Sequence, residues 1–318
     1  MSSREFPYTR RNRDSGCNSG HPADIIQHMT IRTIGRILDG IPTQDGAGVK
    51  LSRLLGTPRL KSLDPFLLLD EFKSDNTNDF IAGFPEHPHR GFETVTYLKR
   101  GKFHHRDSSG NQGLLTAGSV QWMTAGKGII HSEMPEVSEG SLWGYQLWIN
   151  LPSRLKMIEP QYQDIPSERI PRIETQGAQV AVISGEFDGS RGPAQPHFPV
   201  IYLDVELSAQ SNFAHSVPAE MNCFCYLYDG SIMPAAHGPD RATVVDSGAG
   251  RLIVLQEGES VLLRTASAKA GFLLIAGRRI GEPVARAGPF VMNTREELYR
   301  AFDDYRSGRF VDIHPADR

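Results

Sequence analysis

Two short motifs, His87-Pro88-His89 and His131-Ser132-Glu133, each place two ligand-type side chains at positions i and i+2. In a β-strand those positions project from the same face. Two such strands lying side by side would bring three imidazoles and one carboxylate together. That donor set suits a mononuclear first-row transition metal and leaves an octahedral sphere incomplete, so a small molecule can bind and be activated there. Three further residues belong to the same neighbourhood of the sequence. His104 and His105 are adjacent, so one faces inward and one outward on a strand. Glu93 shares the parity of His87 and His89 and is expected on their face of an unbroken strand, as a ligand or as acceptor for a histidine N–H. Glu86 has the opposite parity and is expected in solvent. Arg90 and Lys127 are candidates to attract an anionic substrate oxygen.

Elements that could position these groups are short and extended. Apolar runs such as PFLLLDEF, TVTYLKRG, SVQWMTAGKG and YQLWINL are separated by turn residues, and Asp107-Ser108-Ser109-Gly110-Asn111 is a hairpin signal. The 31 glycines and 21 prolines are spread between β-like segments, which predicts an all-β barrel or sandwich and argues against an α/β sheet. Residues 1–28 are polar, without periodicity, and are read as a disordered extension. An organelle-targeting role is weakened by Glu5, Asp14 and Asp24, and Met29 could equally be the start. A metal-binding N-terminal domain is expected over 29–150, a Pro-rich and charged connection over 151–175, and a second β-rich domain over 176–318. The last of these ends in a helix capped by Asn293 or Thr294 and stopped at Gly308.

The halves resemble one another. TVTYLKRG and FCYLYDGS both place Tyr-Leu four residues before a glycine, and setting Tyr97 on Tyr226 puts Ser216 and Pro218 opposite His87 and His89. The second domain is therefore expected to lack the ligands, and His215 is one residue out of phase with them. Cys223 and Cys225 would share one strand face as small buried groups.

Composition excludes several classes. A net charge of -3 marks neither a nucleic-acid binder nor a membrane-surface protein. No apolar run approaches the length of a membrane span, and no secretory h-region opens the chain. Three cysteines fit a reducing compartment, so a cytoplasmic location is expected, extending to the nucleus if the source is eukaryotic. Ala125-Gly126-Lys127-Gly128 lacks phosphate-loop spacing, and Ser132 beside His131 is not a catalytic dyad.

The stretches GFPEHPHRGFETVTYL, HRDSSGNQG, VQWMTAGKGIIHSEMP and GPFVMNTREEL resemble the pirin family of the cupin superfamily, from about Met29 to the C-terminal helix. The resemblance implies two jelly-roll β-barrels, a bicupin with a short C-terminal helix, and a metal in the first barrel only. Its site maps onto His87, His89, His131 and Glu133, in agreement with the parity argument. The chain departs from the general cupin pattern: seven residues separate Glu93 from Gly101, and Thr124 replaces the usual proline of the second motif. The fourth ligand moves to Glu133, so Glu93 is not expected to bind metal directly.

Pirins resemble one another in binding Fe(II), although Zn, Cu, Ni and Mn accept the same donors. Some open the ring of the flavonol quercetin with O2, and others are regulatory proteins that bind transcription factors. The first implies a dioxygenase in which Glu133 acts as general base toward a flavonol 3-hydroxyl. The second implies an iron-bearing protein whose partner is another protein. A metal that only stabilises the barrel is the third reading. An open apolar pocket over the metal would favour the enzyme, with Phe84, Phe92, Trp122 and Met123 as candidate walls.

Overall fold

A computed structural model describes residues 29–136, 140–234, 244–248 and 250–311. The extension over 1–28, with Cys17, lies outside the described residues. The protein is all-β, two jelly-roll barrels and one C-terminal helix, and no described helix is long and apolar enough to cross a membrane.

The first barrel packs a seven-stranded sheet against a four-stranded one. The larger sheet runs in the order Gln161–Ile165, Val120–Thr124, Phe92–Arg100, Leu142–Asn150, Phe66–Ser74, Val49–Leu55 and Ile41–Asp45. Phe84–His89, Ile129–Pro135, Phe103–Asp107 and Gln112–Leu115 form the smaller sheet, and both histidine motifs lie on its first two strands. The hairpin read at Asp107–Asn111 joins the last two. Gly110 turns there at φ 86°, and the Asp107 carboxylate collects the backbone N–H groups of Ser109 and Asn111.

The second barrel repeats this order strand for strand: Ile34–Asp39, Arg251–Leu255, Met221–Pro234, Ala270–Arg278, Val200–Leu207, Ala178–Ser184 and Arg172–Thr175. Glu71, Tyr145, Tyr97 and Val120 stand in one row across the first sheet, and Asp204, Leu273, Tyr226 and Leu252 in one row across the second. Tyr97 and Tyr226 thus hold equivalent places, as the repeat in the sequence predicts. On the strands that correspond to the histidine motifs the inward pair is His215 opposite Val261, while Ser216 is exposed; the Tyr97–Tyr226 anchor therefore reads this strand one residue out of phase, and His215 faces the barrel interior.

Two strands cross between the halves. Ile34–Asp39 pairs with Arg251–Leu255 in the second sheet, and Gln161–Ile165 pairs with Val120–Thr124 in the first. The sequence reading placed Ile34–Asp39 in the first domain and treated 151–175 as a connection only. Edge pairing is decided by which segment passes an open edge in space, and that is not written in local periodicity.

A large core lies between the barrels. The backs of the two large sheets meet there through Phe66, Tyr97, Trp122, Tyr145, Tyr202, Phe224 and Tyr226. Period-2 alternation divides each strand between this core and its own barrel. Phe224 and Tyr226 face the partner barrel, while Cys223 and Cys225 fill the inside of the second. A reciprocal clasp closes the interface. Tyr97 Oη donates to Asp204 Oδ2 at 2.7 Å, and Tyr226 Oη donates to Glu71 Oε2 at 2.7 Å.

Where the second barrel lacks ligands it holds a neutral histidine. His215 packs against Phe187 and Phe213, its Nε2 buried with no partner, and burial pushes its pKa down to about 4. Unfolded chain binds that proton at about pH 6.5. Between these values the unfolded state holds more protons, so stability is fully present above about 6.5 and is lost as pH falls toward 4. The loss from this group is about 3 kcal/mol. His215→Leu is expected to move the acid-unfolding midpoint to lower pH; an unmoved midpoint would show that His215 is not buried neutral.

The helix Arg295–Arg306 is capped by Thr294, whose Oγ1 accepts from the Glu297 N–H while Glu297 Oε2 accepts from the Thr294 N–H. It packs through Leu298 and Ala301 on Phe290, and Gly308 follows it at φ 71°.

Candidate metal centre

Antiparallel pairing sets His87 directly opposite His131, and His89 opposite Ile129, so all three imidazoles project from adjacent strands into the first barrel. Ring centroids lie 4.3 Å apart for His87 and His131, 4.6 Å for His87 and His89, and 5.0 Å for His89 and His131. One nitrogen from each lies within 4.8 Å of the others. His87 Nδ1 bonds the Pro85 carbonyl at 2.7 Å and His89 Nδ1 approaches the Pro289 carbonyl at 3.4 Å, which leaves the Nε2 lone pairs turned to the centre. Both nitrogens of His131 are buried with no hydrogen-bond partner. A buried, unpartnered imidazole is costly unless something accepts its lone pair. Burial, helped by the neighbouring imidazoles, holds His89 and His131 well below the usual histidine range, so both are neutral donors. These observations fit a divalent metal ion.

Glu133 is buried two residues beyond His131 on the same strand. A bulge between them sets it opposite Phe84, and its Oε1 accepts from Thr96 Oγ1 at 2.7 Å. The close nitrogen group among the described residues is made by the three histidines, and Glu133 forms the adjoining wall of the same cavity. That cavity measures about 620 Å³. Leu51, Leu68, Phe72, Phe84 and Trp148 give it an apolar body, and besides Gln146 and Glu133 its lining includes the charged residues Asp45, Arg53, Asp70, Glu86 and Arg286.

The remaining candidates divide. His105 is the inward member of its pair. It stacks on Tyr162 at 4.6 Å and bonds Asp107 and Gln121, with His131 5.4 Å away, while His104 is exposed beside Glu136. Glu93 does not share the face of His87 and His89. The strand breaks at Gly91, φ 89°, where a side chain would strike the Val291 carbonyl, and the new strand starts in another sheet. Glu93 instead accepts from Thr124 Oγ1 and His197 Nδ1, both at 2.9 Å, and so ties the two halves. Phe84 lines the cavity. Phe92 packs behind His89 and against Trp148, and Trp122 faces the interdomain core. Arg90 does not reach toward a ligand: it donates to the Lys127 carbonyl and to Asp304 Oδ2, holding the helix on the first barrel. Lys127 pairs with Glu159.

Sequence reasoning missed the residues that approach from far along the chain. Pro289 and Arg286 belong to the hairpin Ala285–Ala287 and Phe290–Met292, which leaves the second barrel and lies over the first. The GPFVMN stretch outside either barrel was the available signal. Lys156 fastens this hairpin by donating to the carbonyls of Gly91 and Val291 and to Asn150 Oδ1.

Two family models match the chain, Pirin over residues 48–149 and the Pirin C-terminal cupin domain over 202–311. A pirin-like protein of Caulobacter vibrioides is 46% identical over 89% of this chain and 100% of its own length. The chain belongs to the pirin family. Human pirin is 44% identical over 83% of this chain and 89% of its own. Among solved structures, a quercetin 2,3-dioxygenase from Acinetobacter baumannii superposes with a TM-score of 0.78. It shares 32% identity over 89% of this chain and 100% of that one. Membership accounts for the two-barrel repeat.

Proposed function

We propose that the chain is a metal-dependent dioxygenase of the quercetin 2,3-dioxygenase type, with Fe(II) held by His87, His89, His131 and Glu133. Its reaction opens the ring of a flavonol with O2. The observation that carries this reading is a cluster of three imidazoles, one of them buried with no hydrogen-bond partner, beside a cavity with an apolar body large enough for a planar aromatic molecule. The name of the Acinetobacter relative supports the substrate class.

The bound metal would supply a Lewis acid that lowers the pKa of a coordinated hydroxyl and a place to bring O2 beside it. Glu133 is positioned to take the 3-hydroxyl proton. Thr96 occupies its Oε1, which leaves Oε2 for that proton and fixes the carboxylate plane. Apolar walls at Phe84, Phe72 and Trp148 exclude water from the electron-rich anion. Both oxygen atoms of O2 enter the organic product, and one ring carbon leaves as carbon monoxide.

Anaerobic loading with Fe(II), followed by O2 uptake on adding quercetin, tests the proposal. Uptake with carbon monoxide release in wild type, absent in His89→Ala, is the expected result. Glu133→Gln should lower kcat by about 10²–10⁴-fold. Tight iron binding with no uptake across several flavonols would sink the enzyme reading. It would turn attention to a regulatory protein whose iron biases a protein-binding surface.

A further inference from the structure

One wall of the cavity is contributed from outside the metal-bearing barrel. The strand Phe290–Met292 bridges back to Arg90, and its hairpin partner Ala285–Ala287 carries Arg286 to the cavity. The Arg286 guanidinium lies over the Trp148 ring at 4.8 Å, and one of its amino groups donates to the Leu67 carbonyl at 2.9 Å. Those contacts set its orientation and leave the rest of its N–H fork open. Among the described residues no carboxylate pairs with it. The other arginine of the cavity differs: Arg53 makes a two-point bond to Asp70 and a further one to Asp45, so those acids are already answered. An oriented guanidinium with open donors, on the wall of a cavity with an apolar body that also holds a metal-ligand cluster, offers a second point of attachment to whatever binds the metal.

We infer that Arg286 is a specificity-determining residue, selecting planar aromatic substrates that carry an anionic oxygen group beyond the atom bound at the metal. This rests on the reading of His87, His89 and His131 as metal ligands and narrows its substrate class. The physical reasons are three. A guanidinium fork matches a carboxylate or ionised phenol with two parallel hydrogen bonds. Stacking on Trp148 pre-pays the side-chain ordering that binding would otherwise cost. Arg286 is exposed and lines the same cavity as His87 and His89, so an incoming anion can reach its open donors.

The test uses zinc-loaded full-length protein, which is redox-silent, and two fluorescent probes of the same shape, coumarin-3-carboxylate and the neutral coumarin-3-carboxamide. Wild type is expected to bind the acid about tenfold more tightly than the amide, and Arg286→Gln to bring that ratio close to one. Arg286→Met keeps the stem over Trp148 without charge and should behave as Arg286→Gln. Thermal midpoints of both variants check that the hairpin stays in place. A wild-type ratio of one, or a tenfold ratio kept in both variants, overturns the inference while leaving the metal reading intact. Zinc content of the same samples separates the two: wild type that retains no zinc would overturn the metal reading and this inference with it.

Discussion

His131→Ala is expected to abolish metal-dependent stabilisation while costing the metal-free protein little. The two effects separate because His131 is buried with both ring nitrogens unpartnered. In the metal-free state the imidazole contributes packing but carries the penalty of unsatisfied polar atoms, about 1–3 kcal/mol, so its removal roughly balances cavity against relief. With metal the balance changes. A ligand that binds only the native state adds about 2.7 kcal/mol at a hundredfold excess over Kd. For a chain of this size that corresponds to a rise of about 4 °C in Tm. Removing one of three imidazoles whose donor atoms lie within 4.8 Å should cut affinity at least a hundredfold and remove nearly all of that rise. Thermal scans with and without excess Zn(II) measure it. A variant that kept the full metal-induced shift would remove His131 from the site.

The second large effect concerns the joint between the barrels. Asp204 is buried and accepts from Tyr97 and Tyr228 at 2.7 Å each, and from the Lys99 ammonium at 2.5 Å. Asp204→Ala takes the acceptor from two phenolic hydroxyls and leaves the largely buried Lys99 ammonium only Tyr228 Oη at 3.3 Å and Glu206 at 3.7 Å. Breaking a buried ion pair from one side costs about 3–5 kcal/mol, and here hydrogen bonds to two tyrosines are lost as well. The expected fall in Tm is about 5–10 °C. Tyr226→Phe, which removes one bond to Glu71 across the same interface, should cost only about 1–2 kcal/mol. Calorimetry on the full chain distinguishes them, and an Asp204→Ala loss below about 1 kcal/mol would show that the clasp does not hold the barrels together.

These expectations differ in how much of them was already legible in the residues. The i and i+2 spacing of His87, His89 and of His131, Glu133 needed only the two-residue period of a strand, and the pairing of those two strands put the three imidazoles together. The same local rule assigned Cys223 and Cys225 to one face and Tyr226 to the other, and capping chemistry located the helix at Thr294. The internal repeat was visible at Tyr97 and Tyr226 because equivalent rows of two sheets impose similar sequence demands.

Tertiary structure decided what depends on a neighbour from elsewhere in the chain. Parity could not carry from His89 to Glu93, because Gly91 ends the strand where the Val291 carbonyl comes too close for a side chain. Trp122 looked like a pocket wall until the second barrel buried it. The strands Ile34–Asp39 and Gln161–Ile165 changed halves because each lies along the other sheet's open edge. Arg286 lies nearly 200 residues beyond His87 and His89 in the chain and reaches their cavity only because the last hairpin folds back over the first barrel. Periodicity records which way a side chain points from its own strand; what it meets there is set by packing between segments distant in sequence.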